Sequence, residues 1–294
     1  MTFKDIVKEW QEQFPILSPY TPPTLFARAD IILIGLRLDR RWDDEYSVNL
    51  EILPLWVPKD KISISFLDED LLDKKGFPIS LETRLHDPLL TDYVEAQKKR
   101  GVANFDIQKF ELEKNTRFGI IRKSLECAHE QFDPILREKV GLSVLLRLIK
   151  AHTESRRFDK RNPLDWYHLF ELKLALAYHF GREDMVNNIK AEIKKETGHW
   201  NNKRFQDLFH KSIEEWKEDL YQRMEDRETF MKQVEQNLSL RKISRLKEIH
   251  IHNDVDLSQF SLKDAEMNKS SYIPDDEEPC LPLLQRILRF MKGY

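Results

Sequence analysis

The stretch Ile31–Ile52, IILIGLRLDRRWDDEYSVNLEI, decides the fold. Its first half puts Ile32, Ile34, Leu36 and Leu38 on one side of an extended chain and Leu33, Gly35, Arg37 and Asp39 on the other. Its second half keeps the period of two, with Tyr46, Val48, Leu50 and Ile52 alternating with Ser47, Asn49 and Glu51. Between them Arg40–Glu45 forms a polar tip, and two alternating runs joined in this way are a β-hairpin. The second strand has one clean polar face, which predicts an antiparallel sheet with that side wet or covered by polar groups. Pro54 and Pro58 mark its end or an edge, because proline donates no ladder hydrogen bond. Alternation returns at Ile62, Ile64 and Phe66 as a third strand, and residues 79–85 are a fourth candidate.

Upstream of the hairpin, Phe3, Ile6, Val7, Trp10 and Phe14 keep the 3.6-residue period of a helix that Thr2 caps and Pro15 stops. The four prolines of Pro15–Pro23 make that segment a loop. Downstream, Asp87-Pro88 reads as a cap and first helical residue, and the helix it opens ends at Gly101. Residues 102–118 fit strand and helix alike.

From Ile120 the chain reads as helical almost to His250. Pro134 opens a helix through Ile149 that is apolar on more than one side, as a helix in the middle of a bundle is. Asn162-Pro163 caps another, Gly181 stops it, and Met185–Ile193 turns straight back as the second arm of an αα-hairpin. That hairpin resembles one tetratricopeptide-type unit, but no second unit follows at the ~34-residue period, so it reads as a bundle hairpin. Phe205, Phe209, Ile213, Trp216, Leu220 and Met224 step along a helix of about five turns, and Phe230–Leu238 resumes after Glu225–Glu228. Asn253–Pro279 is acidic and poor in aromatics, a connector. Leu281–Tyr294 then sets Leu283, Leu284, Ile287, Leu288 and Met291 on one helical face, with Arg286, Arg289 and Lys292 off it.

The fold class is therefore α+β: a small antiparallel β-meander with flanking helices, followed by a larger α-helical bundle. The divisions are 1–101 for the meander part, 102–252 for the bundle, 253–280 for the connector and 281–294 for the last amphipathic helix. With 294 residues, 34% of them charged, the chain can bury a core without metal or disulfide. Its 8 glycines are far below the usual ~7%, which favours long solvated helices over turn-rich β architecture. Cys127 and Cys280 stand far apart, the usage of a reducing compartment. The first ten residues mix acids and bases with apolar residues, unlike a secretory leader. The longest apolar run, Ile31–Leu36, is far short of the ~20 residues of a membrane span. A cytoplasmic protein with no membrane attachment is expected.

The residues that could carry chemistry each have a plainer role. His250 and His252 would share a face if extended, but no third metal ligand accompanies them, and a solvated helix end explains them. Gly141–Ser143 has the start of a nucleophile motif, yet it lies inside an apparent helical run with no strand before it. Ser143 is expected to be a small buried residue. Glu171 and Lys173 have the spacing of a nuclease strand, but Phe170, Leu174, Ala177 and Tyr178 make the segment helical and send the two side chains apart. No glycine-rich phosphate loop occurs. No catalytic residue, metal site or cofactor is expected.

Two surface features remain. Arg156, Arg157, Lys160 and Arg161 flank Phe158, a pattern able to grip a phosphate backbone, though the net charge of -3 disfavours a dedicated nucleic-acid binder. At the hairpin tip, Arg41, Trp42, Asp43 and Asp44 embed an aromatic among alternating charges, the makings of an interface centre. The function expected is a non-enzymatic, bacterial-type protein-interaction module, such as a toxin-neutralising, immunity-like or scaffold protein, whose partner is another protein. The alternative is a nucleic-acid-binding or processing protein that uses the basic loop 156–161.

Overall fold

Alternation in the hairpin becomes a long antiparallel pair, β3 (Ile32–Trp42) and β4 (Glu45–Pro54), in register from Ile32↔Pro54 to Arg40↔Tyr46. The computed structural model describes residues 3–42, 45–82, 122–155, 158 and 162–255. The helix expected at Asp87–Gly101, the open stretch 102–118, most of the connector and the segment 281–294 lie outside them. With β1 (Ser18–Pro19), β2 (Thr24–Ala29), β5 (Leu67–Asp70) and β6 (Leu81–Glu82), the hairpin completes a six-stranded sheet of order β1-β2-β3-β4-β5, β6 also pairing with β4. The architecture is α+β, with one helix before the antiparallel sheet and the other described helices after it.

One face of the sheet carries Leu25, Ala27, Ile34, Leu36, Leu38, Tyr46, Val48, Leu50 and Ile52, all buried. Helix α1 (Phe3–Gln13) packs its apolar stripe here, and the Trp10 indole donates to the Tyr46 hydroxyl at 3.1 Å. The opposite face is apolar only where Phe26, Leu33 and Leu53 lie. A Cβ on Gly35 would stand 2.0 Å from the Leu25 carbonyl oxygen and 2.6 Å from the Phe26 ring, so the strand needs glycine there. Beyond it this face is polar, and its inner members Ser47, Asn49, Glu51 and Asp70 are all 5% exposed or less. Of the two outcomes expected for this side of β4, wet or covered by polar groups, the second holds at Ser47, Asn49 and Glu51, which lie buried beside Arg37 and Asp68.

Other boundaries shift too. The third strand expected at Ile62–Phe66 is instead a 3₁₀ turn at Lys59–Lys61 and an irregular loop, with β5 starting at Leu67. Carbonyls of Pro58 and Lys61 accept from Lys61 and Ile64, so local turn bonds replace a ladder. Within the fourth candidate, only Leu81–Glu82 is strand among the described residues.

In the helical part, residues 122–132 form α2. The single helix expected from Pro134 to Ile149 is corrected to turns, a short strand β7 (Lys139–Gly141) and α3 (Leu142–Glu154). The αα-hairpin stands as expected, α4 (Pro163–His179) and α5 (Glu183–Thr197), with the Asn162 side chain accepting from Leu164 and Gly181 at φ 64°. The expected five-turn helix breaks into α6 (Asn202–Phe209) and α7 (Ile213–Glu225). His210 takes the left-handed conformation at φ 57°, and Ser212 with Glu215 closes a capping box that restarts the chain. Helix α8 (Arg227–Leu238) follows a cap by Asp226.

Sheet and helices share one apolar core. The segment after β4 inserts Trp56 between Phe66 and Phe230, and its indole donates to Glu171 Oε1 at 2.9 Å. Arg223 completes that buried group at 2.9 and 3.2 Å. Asn237, 2% exposed, donates to the carbonyls of Leu55 and Val57.

After α8 the chain is not helical to His250 but returns to the sheet as a strap. Arg28, on the β2 edge, donates its amide to Lys247, accepts from Ile249 and pairs with Glu248 at 2.8 Å. Strand β8 (His250–His252) then runs parallel to β7. Asp254 accepts from the amide and hydroxyl of Ser143 at 2.8 and 2.7 Å, and Arg182 donates to Asn253 and to the Val255 carbonyl. Among the described residues no helix is long and apolar enough to cross a membrane.

Candidate interaction surface

Ser143, Glu171 and Lys173, singled out by their spacing, are engaged by partners within the fold. A strand does precede Ser143, contrary to expectation, and Ser143 is half-exposed rather than buried. Its hydroxyl bonds to Asp254, which lies where a triad needs histidine. Asp254 serves instead as the cap of α3: burial pushes its carboxyl up, the Ser143 hydrogen bonds outweigh that, and its pKa falls below the ordinary value. Glu171 and Lys173 diverge on α4 as expected, Glu171 to Trp56 and Arg223, Lys173 to Glu192. His250 and His252 do share a face of an extended strand, and both are exposed. Among the described residues no group of three or more His, Cys, Asp or Glu is placed to hold a metal ion.

On the polar sheet face, Arg37 stands 3.0 Å from Glu51, 3.0 Å from Asp39 and 3.6 Å from Asp68, while Asn49 donates to Asp68 at 3.0 Å. Burial outweighs Arg37 and pushes the Glu51 carboxyl up to about 7. These pairs close on one another across the sheet face, with Glu51 buried beneath the partly exposed Arg37, Asp39 and Asp68.

The outward-facing feature lies at the other end of β4. After Asp70 the chain continues along β4, with Leu71 donating to Val48, then leaves and returns at Ile79, which donates to Leu71. What lies between is a finger, closed by a bridge of Leu72 with Pro78. The Asp73 carboxylate accepts from the amides of Lys75 and Phe77 at 2.8 and 2.9 Å, the Asp73 amide donates to the Phe77 carbonyl, and Gly76 turns the chain at φ 82°. This is an Asx-type turn whose conformation the aspartate itself sets. Gln131 of α2, 6% exposed, grips the base by accepting from the Leu72 amide and donating to its carbonyl. Phe77 stands on top, 54% exposed, the most exposed large apolar side chain among the described residues. Lys74 and Lys75 are exposed beside it. Single exposed apolar residues are ordinary; one on a backbone fixed at both ends is less so.

Finger and hairpin tip are neighbours. Ser80 donates to Glu45 at 2.8 Å, and β6 pairs Leu81 and Glu82 with Tyr46 and Glu45. Across from Glu45 lies the backbone of Trp42, after a bulge at Arg40/Trp42. Of the tip residues read from sequence, Asp43 and Asp44 lie outside the described residues, as do the side chains of Arg41 and Trp42. The four basic residues Arg156, Arg157, Lys160 and Arg161 lie outside them as well. Phe158 is described, 6% exposed and edge-on to Trp166 at 4.7 Å. Sequence reasoning missed the finger, although Asp73, Gly76 and Pro78 are the turn chemistry that signals it. No family model, curated protein or solved structure matches the chain.

Proposed function

We propose that this protein works by binding another protein at the end of the sheet where finger and hairpin tip stand together. The observation that supports this is Phe77, largely exposed on a turn that Asp73 fixes. An aromatic whose backbone is set before contact loses little freedom on binding, and aromatics are frequent anchors of interfaces. With Lys74 and Lys75 beside it, the fitting partner surface is an apolar pocket with an acidic rim. Trp42 is a second anchor in this reading, flanked by Arg41, Asp43 and Asp44. Such a module, in the cytoplasm, neutralises a toxin or scaffolds a complex. The burial of Phe158 weighs against the nucleic-acid reading, since it leaves the basic loop without an aromatic to stack on bases.

The test is capture of the partner from cell extract by wild type, Phe77→Ala and Trp42→Ala. Both variants should melt within a few degrees of wild type while partner recovery falls about tenfold or more, the effect of losing a hot-spot side chain. Full recovery with both variants defeats the proposal.

A further inference from the structure

Helices α4, α5, α7 and α8 enclose a cavity of about 200 Å³ that opens to the surface. Its floor is apolar and buried: Ala177, Val186, Met224 and Phe230. Met231 lies half-buried on its rim with Glu183, Glu225 and Arg227. For scale, an apolar cavity of ~150 Å³ admits benzene, so this one has room for an aliphatic side chain inserted from outside.

Three observations bear on what fills it. First, the described chain ends at the cavity mouth: Arg182, which lines it, donates to the Val255 carbonyl at 2.8 Å. Residues 256–280 then tether 281–294 close by, and a tether of that size gives an effective concentration of about millimolar. Second, the sequence of 281–294 sets Leu283, Leu284, Ile287, Leu288 and Met291 at helical spacing, an apolar stripe that needs a cover. Third, three positions off that stripe are basic, Arg286, Arg289 and Lys292, and the segment holds no acidic residue. Glu183 at the rim and exposed Glu228 in the first turn of α8 have no ion pair among the described residues.

We propose that the segment 281–294 of this chain docks into this cavity as an amphipathic helix, apolar stripe inward and basic residues toward Glu183 and Glu228. Docking in cis shields the floor residues Val186, Met224 and Phe230 and reserves the site for the chain's own tail.

Hydrogen exchange of the full chain tests this. In Leu284→Asp/Ile287→Asp, amides near Val186 and Met231 should exchange about tenfold faster than in wild type, which a coupling of ~1.4 kcal/mol produces, while sheet amides around Leu36 and Leu50 stay unchanged. Unchanged exchange around the cavity overturns the proposal. So does protection that rises with protein concentration, which would put a second copy there. An independent arm covers the case in which the double variant misfolds. In Met231→Cys, Cys280 should close an intramolecular disulfide at a rate independent of concentration, whereas Lys75→Cys on the distant finger should not. Equal rates at both positions, or dimers only, also refute it.

Discussion

Glu51 is a carboxylate from which water has been removed: 2% exposed, with Arg37 as its cation at 3.0 Å and a pKa raised to about 7. A carboxyl held above its ordinary 4.5 favours the fold fully below that pH, and the contribution is lost as pH rises through about 7. A rise of that size corresponds to roughly 3 kcal/mol. Glu51→Gln removes the titration, so its stability relative to wild type should increase from pH 4.5 to pH 8, read as the difference in urea midpoints; a difference independent of pH refutes the burial argument. Alternation placed Ser47, Asn49 and Glu51 on one polar face and left open whether that face is wet or covered, because burial depends on what packs across the face and alternation reports only sidedness. Gly141 makes a similar point. A Cβ there would lie 2.0 Å from the Asp254 carboxylate, a neighbour more than a hundred residues away in sequence. Gly141→Ala should cost about 1–3 kcal/mol by overpacking, and much less in a background of Asp254→Ala, where the clash is gone. Additive losses in that double-mutant cycle would show that the glycine serves something else.

The finger shows how an element is built to present one residue. Asp73 accepts two amides, and the turn they close sets the backbone of Phe77. Asp73→Ala should leave the melting temperature almost unchanged, since the turn is exposed, yet weaken partner capture several-fold by charging the cost of ordering the backbone to the binding step. Binding equal to wild type would mean that pre-ordering is irrelevant. Elements of this kind are hard to see in sequence. Strand β5 reads LDED, a composition that strands disfavour. It forms because β4 offers it a ladder, whereas the more strand-like Ile62–Phe66 is spent on turning the chain back. The break between α6 and α7 was equally hidden: apolar spacing runs unbroken through Phe205, Phe209 and Ile213, and only Ser212 and Glu215, a capping box, mark the restart.

At the scale of the molecule, the sheet-then-helices order was legible from the change of period, but its closure was not. Trp56, Asn237 and Glu171 join the two parts into a single core. Sheet and helices should therefore unfold together, with helical circular dichroism and tryptophan fluorescence tracing one coincident transition; two separated midpoints would show independent units. The closing contact is the strap on Arg28, whose ion pair with Glu248 spans 220 residues of sequence. During synthesis at ~5–20 residues per second, the end of β2 around Arg28, which β1 does not cover, waits tens of seconds for that segment to be made. Throughout that interval the nascent chain carries an open strand edge, a template on which other chains can pair.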